Sequence, residues 1–118
     1  MNCFCDYEPA TAYVKTRHKA RLTHRCYECG RAIKAGEVYE KVWAIWDGEV
    51  GIVKTCPRCL DLREYIEAHI PCFCIGHGNV NEDALDAAQE FAHEAPGLLF
   101  GAYRRIVKIK RNERWMKP

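Results

Sequence analysis

The eight cysteines of this 118-residue chain form four close pairs, and these pairs constrain its fold more than any other feature. Two pairs have the spacing CxxC: Cys26 with Cys29, and Cys56 with Cys59. The other two have the spacing CxC: Cys3 with Cys5, and Cys72 with Cys74. A CxxC loop brings two thiolates within reach of one metal ion, and two such loops complete a tetrahedral site. Because pairs of like spacing match each other, the sequence predicts two zinc ions, one for each four-cysteine set.

The role of the cysteines depends on the compartment. The segment Met1–Cys5 lacks the apolar run of a signal peptide, and no segment has the roughly 18 apolar residues of a membrane helix. We therefore expect one cytoplasmic domain, residues 1–118, that has no membrane partner. In a reducing cytosol, metal explains eight cysteines better than disulfides do, and disulfides stay the alternative for an oxidising compartment.

Charge is spread unevenly along the chain. The formal net charge is +2, and two four-thiolate zinc sites would change it to about −2. Binding to nucleic acid would therefore depend on local segments. Two of them, 15–34 and 104–118, each hold seven Lys or Arg and one acid, whereas 82–94 holds five acids and no Lys or Arg.

The middle of the chain predicts a β-hairpin. Segments 37–46 and 50–55 are rich in Val, Ile, Tyr and Trp, and they flank Asp47-Gly48, a dipeptide typical of tight hairpin turns. A short strand is expected before them, at 11–17.

The CxxC pairs lie on either side of this hairpin. The segment 26–30 is typical of a metal knuckle, because its last residue, Gly30, can adopt the positive φ that such a turn needs. Pro57 suits the first turn of a helix, whose N-terminus favours thiolates, and Pro71 would end that helix. Knuckle, hairpin and helix in this order predict an α+β treble-clef zinc-binding domain with its core at about residues 12–70.

The remaining residues are expected to add a second zinc clip and a C-terminal helical extension. The clip would join 1–5 to 72–74, and the extension would comprise a helix and a basic tail at 81–118. Asn81 is a suitable N-cap, followed by two acids in the first turn. The last segment fits a helix, although 106–109 also fits a strand.

Histidines near the cysteines could alter the ligand sets. His69 or His77 could replace one thiolate of the second site, whereas His24, close to the knuckle, is expected to be a surface or neighbouring group. The CxC cysteines could instead be free buried thiols or a redox pair.

The sequence argues against the enzymes that use similar frames. A nuclease of the HNH type needs His residues in the hairpin region, and none lies between Cys29 and Cys56. A zinc deaminase carries H/C-x-E and P-C-x-x-C, which 26–28 and the second CxxC imitate. However, Thr55 replaces the proline, and Cys29 fills the position that catalysis keeps open for water. We expect a non-enzyme without a small-molecule substrate, with a deaminase-like enzyme as the weakest alternative.

Two basic segments could bind nucleic acid. Alternate residues of a strand at 15–21 would line one face. The C-terminal segment combines basic residues with Tyr103 and Trp115, a mixture that suits binding to single-stranded nucleic acid or RNA. A solvated edge strand and a helix docked on the acidic segment are the alternatives. The candidate residues are Lys15, Arg17, Lys19, Arg21, Arg25, Arg104, Arg105, Lys108, Lys110 and Arg111.

A protein partner is the second possibility. Trp43 and Trp46 lie on opposite faces of the hairpin by parity, so both can be buried only if both faces are covered. One of the two could be an exposed anchor for a partner.

Several runs of the chain resemble small zinc-knuckle proteins of bacteriophage and prophage genomes, a family mostly without assigned function. The runs are His24–Arg31, Ile33, Gly36–Tyr39, Trp46–Gly48, Thr55–Arg63 and Cys72–Cys74, and the resemblance extends into the helix at Glu82. It implies a phage origin, action in the cytoplasm of a bacterial host and no catalysis. By analogy, such a protein binds a host protein, including a defence component, or acts in transcription.

Together these patterns predict a non-catalytic zinc protein that acts as a nucleic-acid-associated binding module. The alternative is an effector that binds a host protein and inhibits or redirects it. The partner and the oligomeric state are left open by the sequence.

Overall fold

The computed structural model describes residues 10–70, 77–93 and 97–111, which form a small antiparallel sheet, a two-stranded ribbon and three helices. In chain order the elements are β1 Ala12–Lys19, β2 His24–Arg25, β3 Ala32–Ile33, β4 Val38–Trp46, β5 Glu49–Thr55, α1 Pro57–His69, α2 Val80–Glu90 and α3 Leu98–Arg111. The predicted α+β class is confirmed. Within these ranges no helix has the length and apolar character needed to cross a membrane.

Strand β4 lies at the centre of the three-stranded sheet, with β1 and β5 at its edges. The predicted hairpin is confirmed, because Asp47 and Gly48 adopt φ angles of 51° and 79°, as a two-residue primed turn requires. The strand expected at 11–17 is β1, which continues as far as Lys19.

The two faces of this sheet differ in burial. On the inner face Val42 and Ala44 are fully buried, and α1 packs against β4. Trp46 packs with them, whereas Trp43, of opposite parity, stays 37% exposed on the outer face. The parity argument for the two tryptophans is therefore confirmed, and the sheet presents an aromatic side chain to solvent.

A buried ion pair fastens α1 to the inner face. Glu40 is fully buried, and its carboxylate accepts hydrogen bonds of 2.9 and 2.5 Å from the two terminal nitrogens of Arg63. This bidentate geometry pairs the two charges where little solvent reaches them. The Arg63 Nε also lies 3.3 Å from Glu67, one helical turn further along α1.

The predicted start of the second helix is wrong. Helix α2 begins at Val80, so Asn81 lies within its first turn, and Asn79 occupies the N-cap position without a side-chain hydrogen bond. The backbone donors at this helix end are bound by a residue of the knuckle, which the next subsection describes.

Helix α3 confirms the helical prediction for the last segment and excludes the strand. It packs on α1 and α2, and Gly101 allows the close approach to α1, because a Cβ there would lie 2.0 Å from the Tyr65 hydroxyl oxygen. That hydroxyl donates to the carbonyls of Gly97 and Leu98 at 3.3 Å. The guanidinium of Arg105 lies 3.8 Å from the centre of the Tyr65 ring.

We expect Glu40→Ala to lower the free energy of unfolding by about 3–5 kcal/mol, because it removes the buried partner of Arg63 and leaves this charge only the exposed Glu67. The double variant Glu40→Leu/Arg63→Met should be far less destabilised, since neither charge remains. Glu64→Ala is the matched control: it removes the exposed ion pair with Arg17 and should cost at most about 1 kcal/mol. Urea unfolding of the metal-loaded protein measures all three. Equal losses for Glu40→Ala and Glu64→Ala would contradict the argument.

Candidate metal centre

The first pair of cysteines is carried by a turn closed by backbone hydrogen bonds. The Cys26 N–H donates to the Arg31 carbonyl, and the Gly30 N–H donates to the Cys26 carbonyl, both at 2.9 Å. Gly30 has a φ of 72°, as the sequence predicts for a knuckle. Strands β2 and β3 pair on either side of this turn, so the turn is fixed at its base.

The second pair lies at the N-terminus of α1. Cys56 is the N-cap residue, and its sulfur accepts a hydrogen bond from the Cys59 N–H at 3.4 Å. Pro57 occupies the first turn, where backbone N–H groups have no partner within the helix. Its missing N–H therefore costs the helix no hydrogen bond. The Cys56 N–H in turn donates to the Cys26 sulfur at 3.3 Å, which links the two pairs.

The four sulfur atoms have the spacing of a tetrahedral metal site. All lie within 4.8 Å of one another, with 3.9 Å between Cys26 and Cys59 and 3.8 Å between Cys29 and Cys56. A regular tetrahedron with metal–sulfur bonds of about 2.3 Å places its sulfurs about 3.8 Å apart. The set predicted from the CxxC spacing is thus brought together, and it could bind a metal ion.

Burial and thiol acidity support the same conclusion. Cys26, Cys56 and Cys59 are buried and Cys29 is partly buried. Hydrogen bonds with the other three thiols lower the pKa of Cys29, whereas the corresponding hydrogen bonds raise the pKa of Cys59. Thiols packed this closely cannot all ionise by themselves, and a divalent cation would stabilise four thiolates together.

His24 is not part of this cluster. Its Nδ1 accepts a hydrogen bond from the Lys54 ammonium at 3.3 Å, and its ring lies 5.1 Å from that of Tyr39. Burial, followed by the charges of Lys54 and Lys41, lowers its pKa. The expectation that His24 is a neighbouring group rather than a ligand agrees with this position.

Glu28 connects the knuckle to α2. Its side chain is 1% exposed, and its carboxylate accepts hydrogen bonds from the Gly78 N–H at 2.7 and 2.9 Å and from the Val80 N–H at 3.2 Å. Burial raises its pKa, although these two donors act in the opposite direction. Glu28 therefore serves as the cap that Asn79 does not provide. A glutamate within the CxxC gives no sequence signal for a helix more than 50 residues away.

His77 extends this connection to the sheet. Its Nε2 lies 2.8 Å from the Tyr13 hydroxyl oxygen, and its ring stacks on the Tyr13 ring and meets Trp46 edge-on. Its Nδ1 lies 3.9 Å from the Glu28 carboxylate. Burial lowers the pKa of His77, which favours its neutral form.

The predicted second zinc site lies outside the described residues, because Cys3, Cys5, Cys72 and Cys74 all do. Of the two histidines considered for it, His69 lies 2.7 Å from the Tyr65 carbonyl oxygen through its Nδ1. His77 is held as described above.

The predicted nucleic-acid residues fall into separate places. Lys15, Arg17 and Lys19 share one parity on β1. Arg21 lies beyond the end of the strand, so the alternation on one face covers only the first three of these residues. Arg17 pairs with Glu64 of α1. On α3, Arg105 lies 3.3 Å from Asp61 and is used in packing. The remaining candidates of α3 are exposed: Arg104, Lys108, Lys110 and Arg111.

Two adjoining grooves collect several of these cations. The strand-end groove, about 840 Å³, is lined by Arg17, His18, Lys19, Ala20, Arg21, Leu22, His24 and Tyr39. The knuckle groove, about 740 Å³, is lined by His24, Arg25, Cys26, Tyr27, Gly30, Ile52 and Lys54. Neither lining includes an acid among the residues described. Lys54 was not among the residues predicted from the sequence. The alternation of side chains along β5 could have placed it on the same face as Ile52, which also lines this groove.

Comparison of the chain with protein-family models, with curated proteins and with solved structures gives no match.

We expect a variant with serine at all four CxC positions to retain one tightly bound zinc ion, because the CxxC cluster supplies a complete four-sulfur set. Cys59→Ser in the otherwise native chain should lose that ion and melt at a lower temperature, since metal binding is coupled to folding. Native mass spectrometry and thermal unfolding measure both. A quadruple variant without zinc would contradict the assignment.

Glu28→Ala should destabilise α2 without removing the metal. The change leaves the Gly78 and Val80 donors without their acceptor, at an expected cost of about 1–3 kcal/mol. Amide hydrogen exchange should accelerate across 80–90, while metal content stays at the native value. Glu82→Ala, an exposed acid in the same helical turn, is the control and should leave exchange nearly unchanged. Unaltered exchange in Glu28→Ala would show that the carboxylate does not cap the helix.

Proposed function

We propose that this chain is a non-catalytic treble-clef zinc protein that binds nucleic acid through its basic grooves. The single observation that supports binding most directly is the pair of adjoining grooves, which share His24 and whose linings contain cations but no acid. A concave surface with one sign of charge concentrates anions near it. Phosphates along a strand are anions at regular spacing, and they suit an extended surface of this kind.

The treble-clef assignment is supported by the order of the elements. A knuckle, a hairpin of β4 and β5 and the first turn of α1 supply the ligands in the sequence expected for that fold. Sulfur–sulfur distances of 3.8 and 3.9 Å favour zinc, whose structural sites are four-coordinate.

The same geometry favours a structural metal over a catalytic one. Catalytic zinc keeps one position for water or substrate, whereas here Cys29 supplies a fourth sulfur. Glu28, the candidate acid–base group of the deaminase alternative, directs its carboxylate to the backbone N–H groups of Gly78 and Val80 at the start of α2. Both observations support a protein that works by binding.

A protein partner is the second candidate, and a stripe on α3 favours it. Phe100, Tyr103 and Val107 recur at helical spacing, and they stay 68%, 44% and 43% exposed. Exposed apolar side chains on one helix face are typical of a contact with another protein. An effector that redirects a host protein, as the phage resemblance implies, could use this stripe.

The test separates the two basic regions. We expect a fluorescein-labelled 20-nucleotide DNA to bind the native protein at 50 mM salt and to lose roughly tenfold to a hundredfold in affinity at 200 mM, because bound cations release counterions. The variant Lys19→Glu/Arg21→Glu/Arg25→Glu should abolish binding. The matched variant Arg104→Glu/Lys108→Glu/Lys110→Glu on α3 should retain most of it.

The contrary outcomes are distinct. Binding lost only in the α3 variant would move the interface away from the grooves. No binding to DNA or RNA at low salt, by protein with full metal content, would overturn the nucleic-acid proposal and leave the protein partner.

A further inference from the structure

The outer face of the three-stranded sheet carries two cross-strand rows of different chemistry. The register aligns Val14 of β1, Trp43 of β4 and Ile52 of β5 in an apolar row. The next row of the same parity aligns Thr16, Lys41 and Lys54, so two lysines lie beside the apolar side chains. We call these six residues the outer face.

The apolar row is exposed. Val14, Trp43 and Ile52 keep 52%, 37% and 54% of their surface accessible. Helix α1 packs against the opposite side of β4, and no helix of the described ranges covers the outer face. Side chains of this kind are expensive to leave in water, so a contiguous exposed row suggests a ligand surface.

The outer face is continuous with the grooves. Ile52 and Lys54 belong both to it and to the lining of the knuckle groove. His24 joins the knuckle groove to the strand-end groove and contacts Lys54. A single ligand could therefore follow the cations from the strand-end groove onto the apolar row.

A ligand for this surface has to combine negative charge with flat apolar groups. Unpaired nucleotides do so, because their bases stack on aromatic and apolar side chains while their phosphates contact lysines. Duplex DNA does not, because its bases are stacked inside and only phosphates and groove edges would meet Trp43. The three strands place the ends of the row about 10 Å apart, so the row is long enough to contact more than one unpaired base lying flat on it.

We propose that the outer face binds single-stranded nucleic acid, with bases stacked on Trp43 and its apolar neighbours and phosphates held by Lys41 and Lys54. This inference rests on the proposed function and adds the class of nucleic acid and the surface that selects it. The grooves supply charge attraction that any nucleic acid feels, and the outer face supplies the preference for unpaired bases.

The experiment compares labelled dT12 with a 12-base-pair duplex at one salt concentration. Native protein should prefer the single strand, and Trp43→Leu, which keeps an apolar side chain but loses the aromatic surface, should weaken dT12 binding about tenfold. Duplex binding should be unchanged in this variant. Trp46→Phe, on the inner face, is the matched control and should leave the preference intact. Metal content and melting temperature verify that each variant is folded.

Three outcomes would overturn the inference. The first is native affinity for dT12 in folded Trp43→Leu. The second is an equal loss for single strand and duplex. The third is a protein dimer in sedimentation experiments that Trp43→Leu dissociates, which would assign the outer face to a second copy of the chain. In the first two cases salt-dependent binding to both probes would persist, so the proposed function would survive. Absence of binding to both probes by the native protein would overturn both proposals.

Discussion

Four sulfur atoms join the knuckle directly to the first turn of α1. The knuckle at 26–29 and the helix start at 56–59 are separated by the whole hairpin, and the sulfurs bring them within 4.8 Å. Cys56 takes part twice, as a candidate ligand and as the N-cap of α1. This centre and the Glu40–Arg63 pair both hold α1 against one side of the sheet, which divides the sheet into inner and outer faces. Glu28 extends the connection, because its carboxylate accepts a hydrogen bond from Val80, the first residue of α2.

Local signals made much of this architecture predictable. Asp47-Gly48 determines a turn within two residues, Pro57 marks a helix start, and each CxxC pair places two sulfurs close together by spacing alone. Asn81 failed as a cap because the helix end is satisfied from elsewhere: the acceptor is Glu28, which lies 50 residues from Gly78. A single sequence contains no sign of which distant side chain will reach a helix end.

Pairing between side chains that are distant in the chain could likewise not be predicted from the sequence. Glu40 and Arg63 are 23 residues apart, and each taken alone resembles an ordinary surface charge. The approach of Gly101 to Tyr65 depends on how two helices cross. For the candidate interface, Arg25 was predicted from the sequence, but its grouping with Lys54 in the knuckle groove required the hairpin to be placed beside the knuckle. Arg105 was also predicted as a phosphate contact, and in the structure its guanidinium packs on the Tyr65 ring. That packing depends on how α3 lies on α1, which the sequence does not show.

The buried ion pair also has a consequence for what the sheet displays. Side chains alternate between faces, so a slip of one residue in β4 would turn Trp43 and Lys41 inward and carry Glu40 into solvent. Arg63 would then be buried opposite an apolar or like-charged neighbour, at a cost of several kcal/mol. We infer that the pair acts as a register lock. Besides fastening α1 to the sheet, it makes a one-residue slip of β4 unfavourable, and so determines which row of side chains this protein offers to its surroundings.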